Sequence, residues 1–431
     1  MNRWPILLGM LRNAGVSLFG WYGPVWWIPV ILTLFYGWGL VGPYSLGKAV
    51  MVGLVGLWLS LGQLYERDYR LPLVYAACLV IAGVFGQDHL ITLTGLWGTY
   101  NLGLVPALSL FPVLTGLGPV DKPGLVRGIR IAAVLMALYG LLQKFVAWPV
   151  DSFFLPFELP AGERVYSTIG SPVYAGAMVA LFFPFGNKWE SGILLLFLWA
   201  TGSRGAYLAV GCSTIYYHWP HISHRWRFYG LLALLVGMIG TMTYRPPSDL
   251  GRLVTWSAAW DGFKLKPWLG WGPGNYIMLA ALLRNPVWDE AYGATTQDHA
   301  HNLFLEAGAT GGILGLIGLA CLLAYCWKIE DRKTKSALLG FFIVGMLNPL
   351  PLIGKFLALA IVAVEKPGKL KSSSTIVKSI SIFCLVIISL LLFADILIKQ
   401  HGQYPWSFSS EKAAYGTGLF KEPPTRQQYK F

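Results

Sequence analysis

The apolar residues of this chain arrive in long blocks parted by short polar ones, and no other feature narrows its fold so far. A helix needs ~20 apolar residues to cross a bilayer, because every backbone N–H and C=O must be satisfied within the segment once water is excluded. Such blocks run Pro24 to Val41, Leu46 to Leu64, Leu71 to Phe85, Leu90 to Leu114, Leu125 to Trp148, Pro172 to Phe185, Ile193 to Thr201, Ala206 to Tyr217 and Phe228 to Tyr244. After a long polar gap come Leu303 to Trp327, Leu338 to Leu352, Ile353 to Val364 and Ile380 to Ile398. Of 431 residues 55% are hydrophobic and 12% charged, against ~25% charged in soluble domains, which excludes an ordinary soluble globular fold. The expected fold is an all-α polytopic integral membrane protein with about 12–13 transmembrane helices.

In a soluble chain a net charge of +13 would suggest nucleic acid or an acidic surface, but in a membrane protein the distribution matters more. With the N-terminus in the cytoplasm, the inner segments hold 18 of the 33 Lys and Arg residues, among them Arg67, Arg70, Lys122, Arg127, Arg130, Lys366 and Lys369. The outer loops before the tail hold seven: Arg164, Arg204, Arg245, Arg252, Lys264, Lys266 and Arg284. That asymmetry sets the orientation, although the longest loop lies outside. Residues 1–364 then form a multi-span domain with external loops at 149–171 and 245–302. A basic linker follows at 365–379, a final helix at 380–398 and a polar tail at 399–431. Cys78, Cys212, Cys321, Cys326 and Cys384 sit in apolar segments without CxxC spacing and read as small core hydrophobes. The N-terminus has no small-residue cleavage site and is expected to be the mature start. No internal repeat is visible.

The polar chemistry lies in the external loops. Arg252-Leu-Val-Thr-Trp256-Ser-Ala-Ala-Trp260 puts Trp256 and Trp260 on one helical face, with Phe263 close by, as suits a short helix in the membrane interface. Pro267-Trp-Leu-Gly270-Trp-Gly272-Pro-Gly274 supplies tight turns. These glycines either let backbone approach a ligand closely or, with the tryptophans, anchor the loop at the membrane surface. The loop ends in Gln297-Asp298-His299-Ala-His301-Asn302. Asp298 is placed to cap the next helix and orient an imidazole, while His299 and His301, two apart, are expected to point to different sides. With neither HExxH spacing nor a nearby third ligand, no metal site is expected. A histidine with a near-neutral pKa at the outer surface suits proton transfer. Arg204, in Thr201-Gly-Ser-Arg204-Gly-Ala, either snorkels or faces a cavity. With Arg164 and Arg252 it completes three guanidinium groups suited to a lipid phosphate or diphosphate. Glu306, one turn into the next helix, reads as a buried and paired carboxylate. His218, His221 and His224 read as headgroup contacts.

The run His301-Asn302, nine residues, then Gly312-Ile-Leu-Gly315 resembles the histidine signature of the O-antigen ligase and polymerase superfamily. The resemblance extends to Thr201-Gly-Ser-Arg204-Gly-Ala, to Gly251-Arg252 with Trp256 and Trp260, and to Pro267-Trp-Leu-Gly270-Trp-Gly-Pro-Gly, covering about residues 164–315. One departure is the turn after Arg164, where the family often has Asn-Pro-Asn and this chain has Gly170-Ser171-Pro172. The resemblance implies a glycosyltransferase of the bacterial inner membrane, with its long loop and active site on the periplasmic side. Such an enzyme moves a glycan from undecaprenyl diphosphate to an acceptor hydroxyl, on lipid A core or a similar glycan, without cofactor or metal. Arg204 and Arg252 would clamp the leaving diphosphate, Arg164 would assist, and His301 would receive or orient the acceptor hydroxyl. Asp298, His299, Asn302, Trp256, Gly272 and Gly274 would line the substrate site. A single displacement would invert the anomeric configuration. Besides this donor and acceptor the expected partners are membrane lipids, and nucleic acid is not among them. Within the superfamily ligase is the first reading and polymerase the second; a polysaccharide or lipid-linked sugar transporter is the alternative from another class.

Overall fold

The computed structural model describes residues 24–35, 46–61, 64–95, 103–145, 164–225, 229–230, 246–284, 286–287, 297–371 and 375–400. Most of the span expected at Phe228 to Tyr244, most of the loop at 149–171 and all of the tail after Gln400 lie outside these residues. The described chain is helical apart from one two-stranded ribbon. In order, its helices are α1 (Trp27–Leu34), α2 (Leu46–Leu61), α3 (Arg70–Val84), α4 (His89–Thr94), α5 (Leu104–Leu108), α6 (Phe111–Gly116), α7 (Lys122–Phe145) and α8 (Pro172–Phe182). They continue with α9 (Lys188–Thr201), α10 (Arg204–His218), α11 (Pro246–Leu265), α12 (Tyr276–Leu282), α13 (Leu303–Trp327), α14 (Arg332–Leu347), α15 (Leu352–Glu365) and α16 (Thr375–Gln400). Strand β1 (Leu64–Glu66) pairs antiparallel with β2 (Lys369–Lys371), so the basic linker is tied back to the chain near its start, which the apolar pattern does not foretell.

Local sequence explains several boundaries. Asn187 and Glu190 form a reciprocal capping box on α9, and Gly202, in the left-handed conformation, ends it. Asp88, Asn302 and Asp331 cap α4, α13 and α14 by accepting from the first free N–H groups of each. The block Leu90 to Leu114 is not one span. Gly95 (φ 82°) closes α4, and α6 restarts with Pro112 in its first turn, where the missing N–H costs nothing.

Among the described helices, α13 and the segment Pro119–Phe145 holding α7 are long and apolar enough to cross a membrane. Large apolar side chains stand exposed on the outer faces of the bundle, including Leu73 and Val84 of α3, Leu138 and Phe145 of α7, Leu195 and Trp199 of α9, and Phe383 and Leu390 of α16. Exposed apolar surface on this scale is what an apolar solvent around the bundle requires. The core is continuous through α1, α2, α6 to α10, α14 and α15. Helix α16 lies against α2, where a side chain at Gly53 would come within 3.2 Å of Ile388.

Long-range polar contacts gather at two ends of the bundle. At one end β1 meets β2, Lys122 pairs with Glu365, Arg130 with Glu190, and Arg332 donates to the carbonyls of Tyr216 and Tyr217. At the other end Arg164 meets Thr201, Arg252 meets Asn348, and Lys266 meets Gln87.

Candidate active site

The histidine segment sits at the start of α13. Asn302 accepts from the N–H groups of Phe304 (2.9 Å) and Leu305 (3.1 Å), and its own amide donates to the carbonyl of Met346 (2.9 Å). Asn302, not Asp298, is therefore the cap. Asp298 instead holds the Nδ1 of His299. His301 has φ 54°, a left-handed conformation that costs a non-glycine residue about 1–2 kcal/mol. This turn folds the second imidazole back onto the first, so the His299 and His301 rings lie 4.6 Å apart instead of pointing to different sides.

The two histidines differ electrically. Burial disfavours charge on His299, but the carboxylate of Asp298 outweighs it and raises the pKa, while Asp298 itself stays below its ordinary value despite burial. Burial pushes His301 down to about 3, and the positive charges of His299 and Arg252 add to the effect, so its imidazole is neutral where a near-neutral pKa was expected. Its Nδ1 is buried and has no hydrogen-bond partner among the described residues, and its Nε2 stands 3.5 Å from the Oε1 of Gln297.

The arginines reach this end from three directions. Arg164 donates through Nε to the carbonyl of Thr201 (2.7 Å) and lies across Gly202. Two residues on, Arg204 opens α10. Arg252 of α11 bonds the carbonyl of Leu347 (3.3 Å) and the side-chain oxygen of Asn348 (3.1 Å). Gly205 packs on the same asparagine, since a Cβ there would lie 2.7 Å from its Nδ2. The start of α10, the arginine of α11 and the end of α14 thus converge on Met346-Leu347-Asn348. Asn348 was missed from the sequence. The available signal was a polar residue running into Pro349 and Pro351 between apolar blocks, which forces an extended backbone there (φ −158°, ψ 159°). One turn along α11 from Arg252, Trp256 buries an indole N–H with no hydrogen-bond partner among the described residues, whereas Trp260 is exposed and stacks on Phe263.

The glycine and tryptophan loop has a structural task. Helix α13 breaks at Gly312 (φ 60°, ψ −152°), which would orphan backbone groups inside the bundle. Residues 267–272 satisfy them. The N–H groups of Trp271 and Gly272 donate to the carbonyls of Ala309 (3.0 Å) and Thr310 (2.7 Å), while Ile313 donates to the carbonyl of Pro267 (2.7 Å). The approach demands glycines, because a Cβ at Gly270 would meet the Thr310 carbonyl carbon at 2.4 Å and one at Gly312 the Trp268 carbonyl carbon at 2.4 Å. Gly272 packs on Gly86, and Gly274 on the carbonyl of Ile91. Trp271 is buried, Trp268 is exposed, and Lys266 stacks over Trp271 at 4.2 Å.

Beside α13 runs an apolar cavity of about 620 Å³, bordered by Tyr75, Gly274, Glu306, Gly315, Trp327 and Lys355. Its walls take in residues of α13 on both sides of the break at Gly312, from Leu303 to Trp327. Of the expected site residues, Arg252, His301, His299, Asp298 and Asn302 come together at the start of α13, with Arg164 and Arg204 joined to them through the turn at Gly202 and through Asn348. Gly274 borders the cavity, and Gly272 faces protein backbone. His218 and His221 lie at the far end of α10, away from this cluster.

Among curated proteins none matches the chain. A family model described as O-antigen ligase matches residues 191–320, the stretch from α9 through most of α13 that holds Arg204, Arg252, the glycine loop and both histidines. Over that stretch the chain is similar to the O-antigen ligase family.

Proposed function

We propose that the protein is a ligase that transfers a glycan from undecaprenyl diphosphate to an acceptor hydroxyl, working at the periplasmic face of the bacterial inner membrane. The observation that carries this reading is the gathering of Arg252 and His301 near the start of α13, whose first turn walls an apolar cavity. The cavity offers an isoprenoid chain apolar walls, and the arginines lie where the diphosphate would then sit.

In the reaction the bond between the anomeric carbon and the diphosphate oxygen breaks as the acceptor oxygen attacks from the opposite side, so the configuration inverts. Negative charge grows on the leaving oxygen, and Arg252 with Arg204 stabilises it, with Arg164 as a third guanidinium. The acceptor hydroxyl gives its proton to a nitrogen of His301. In the empty site this imidazole is a weak base that orients the hydroxyl; a bound diphosphate favours imidazolium and makes it a stronger one. Trp256 offers its indole N–H to a sugar or phosphate oxygen. The gathering of basic segments at the opposite end of the bundle supports a cytoplasmic placement of that end.

The test uses purified protein, undecaprenyl diphosphate-linked repeat units and EDTA, with and without a lipid A core acceptor. A single shift in product size that requires the acceptor is expected. A ladder formed from donor alone would make the protein a polymerase of the same superfamily. No product from any donor, with the protein folded, would overturn the transferase reading.

A further inference from the structure

Glu306 is the feature the proposed mechanism leaves unused. Its carboxylate stands in the first turns of α13 on the wall of the apolar cavity, where an ionisable group is costly unless something needs it. Oε2 accepts the N–H of Ala300 at 2.7 Å, while Oε1 is buried with no hydrogen-bond partner among the described residues. Ala300 is fully buried, so without Glu306 its N–H loses this acceptor. It also immediately precedes His301, whose left-handed backbone does not hold itself. Two clamps therefore bracket that residue, the Asn302 amide on the Met346 carbonyl after it and the Glu306 carboxylate on the Ala300 N–H before it.

We infer that Glu306 is a positioning residue for His301, fixing the peptide that carries the imidazole beside the cavity wall at Leu303 and Glu306. The inference deepens the transferase reading above and rests on it for its kinetic consequence. A helix-packing role would ask only for bulk at this position. A positioning role asks for a hydrogen-bond acceptor at the carboxylate's place, and glutamine supplies one through its side-chain carbonyl.

The experiment compares Glu306→Met, which keeps bulk and removes the acceptor, with Glu306→Gln in the full-length protein. Glu306→Met should lower kcat at least about tenfold while the donor KM stays within about twofold, as expected when a buried donor loses its acceptor. Glu306→Gln should restore kcat to within about threefold of the parent. Activity is not the only readout. The rate at which diethyl pyrocarbonate modifies His301, mapped by mass spectrometry, should rise in Glu306→Met and remain at the parent value in Glu306→Gln. That arm reports positioning even if the parent transfers nothing, which would refute the transferase reading alone. Glu306→Gln as impaired as Glu306→Met, a loss confined to KM, or parent-like kinetics and modification in both variants would each overturn the inference. If Glu306→Met does not fold, Glu306→Gln still decides: inactivity or fast His301 modification in that variant overturns it.

Discussion

The stretch 191–320 and the rest of the bundle divide the work of this site between them. Within the stretch lie Arg204, Arg252, Trp256, the glycine loop, His299 and His301. The glycine loop and His299 are held from within it, but several of the other supports lie outside. Arg252 is received by Leu347 and Asn348, Asn302 by Met346, Lys266 by Gln87, and the buried Asn275 by Asp88 and Thr92. Arg164 also precedes the stretch and reaches it through the Thr201 carbonyl. Many of these supports are backbone carbonyls or small amides, so a sequence pattern sees the groups that do chemistry better than the groups that aim them.

Substitutions can break that division or sharpen it. The largest effect is expected inside the stretch, where His301→Ala and Arg252→Ala should each lower transfer at least about a hundredfold without loss of expression or membrane insertion. Activity surviving in both would remove the mechanism. Next comes the brace of the broken helix. Gly312→Ala places a Cβ against the Trp268 carbonyl at a left-handed position and should cost about 1–3 kcal/mol, seen as a lower thermal midpoint in detergent. Outside the stretch, Asn348→Ala removes one of the described bonds to Arg252 and should reduce kcat/KM about tenfold with the fold intact. An Asn348→Ala protein with full activity would show that the stretch aims its own arginine.

A milder effect concerns pH. The profile of kcat/KM reports the free enzyme, in which burial holds His301 down to about 3 and so neutral across the pH range of the assay. An ordinary histidine would lose about tenfold of its neutral form between pH 7.5 and 5.5, whereas here kcat/KM at pH 5.5 should keep more than about half its value at pH 7.5. The kcat profile should fall off at higher pH than the kcat/KM profile, because the bound diphosphate favours imidazolium. Coincident acid limbs would count against diphosphate beside His301. The smallest effect is none: His221→Ala, on an exposed turn beyond α10, should leave transfer unchanged.

Much of this was legible in the residues. The apolar block Leu303 to Trp327 coincides with α13, Pro172 to Phe185 coincides with α8 and its last turn, and the motifs that mark Arg252 and His301 lie together in space. What stayed hidden depended on partners far along the chain. Nothing near Pro267-Trp-Leu-Gly270 announces that its amides will serve a break at Gly312, and the same glycines would suit a ligand. Hydropathy averages over Gly95 and Pro112, so one block became three short helices. The rings of His299 and His301 meet because of a single backbone angle, which strict two-residue spacing hides.

The pairing of α16 with α2, and of β2 with β1, also bears on how the protein is made. In chain order the stretch 191–320 lies between α2 and α16, so the Gly53 face waits for its packing partner until that stretch has been made. Helix α16 is the last of the described helices in chain order, and a chain cut short before it would leave α2 without its mate.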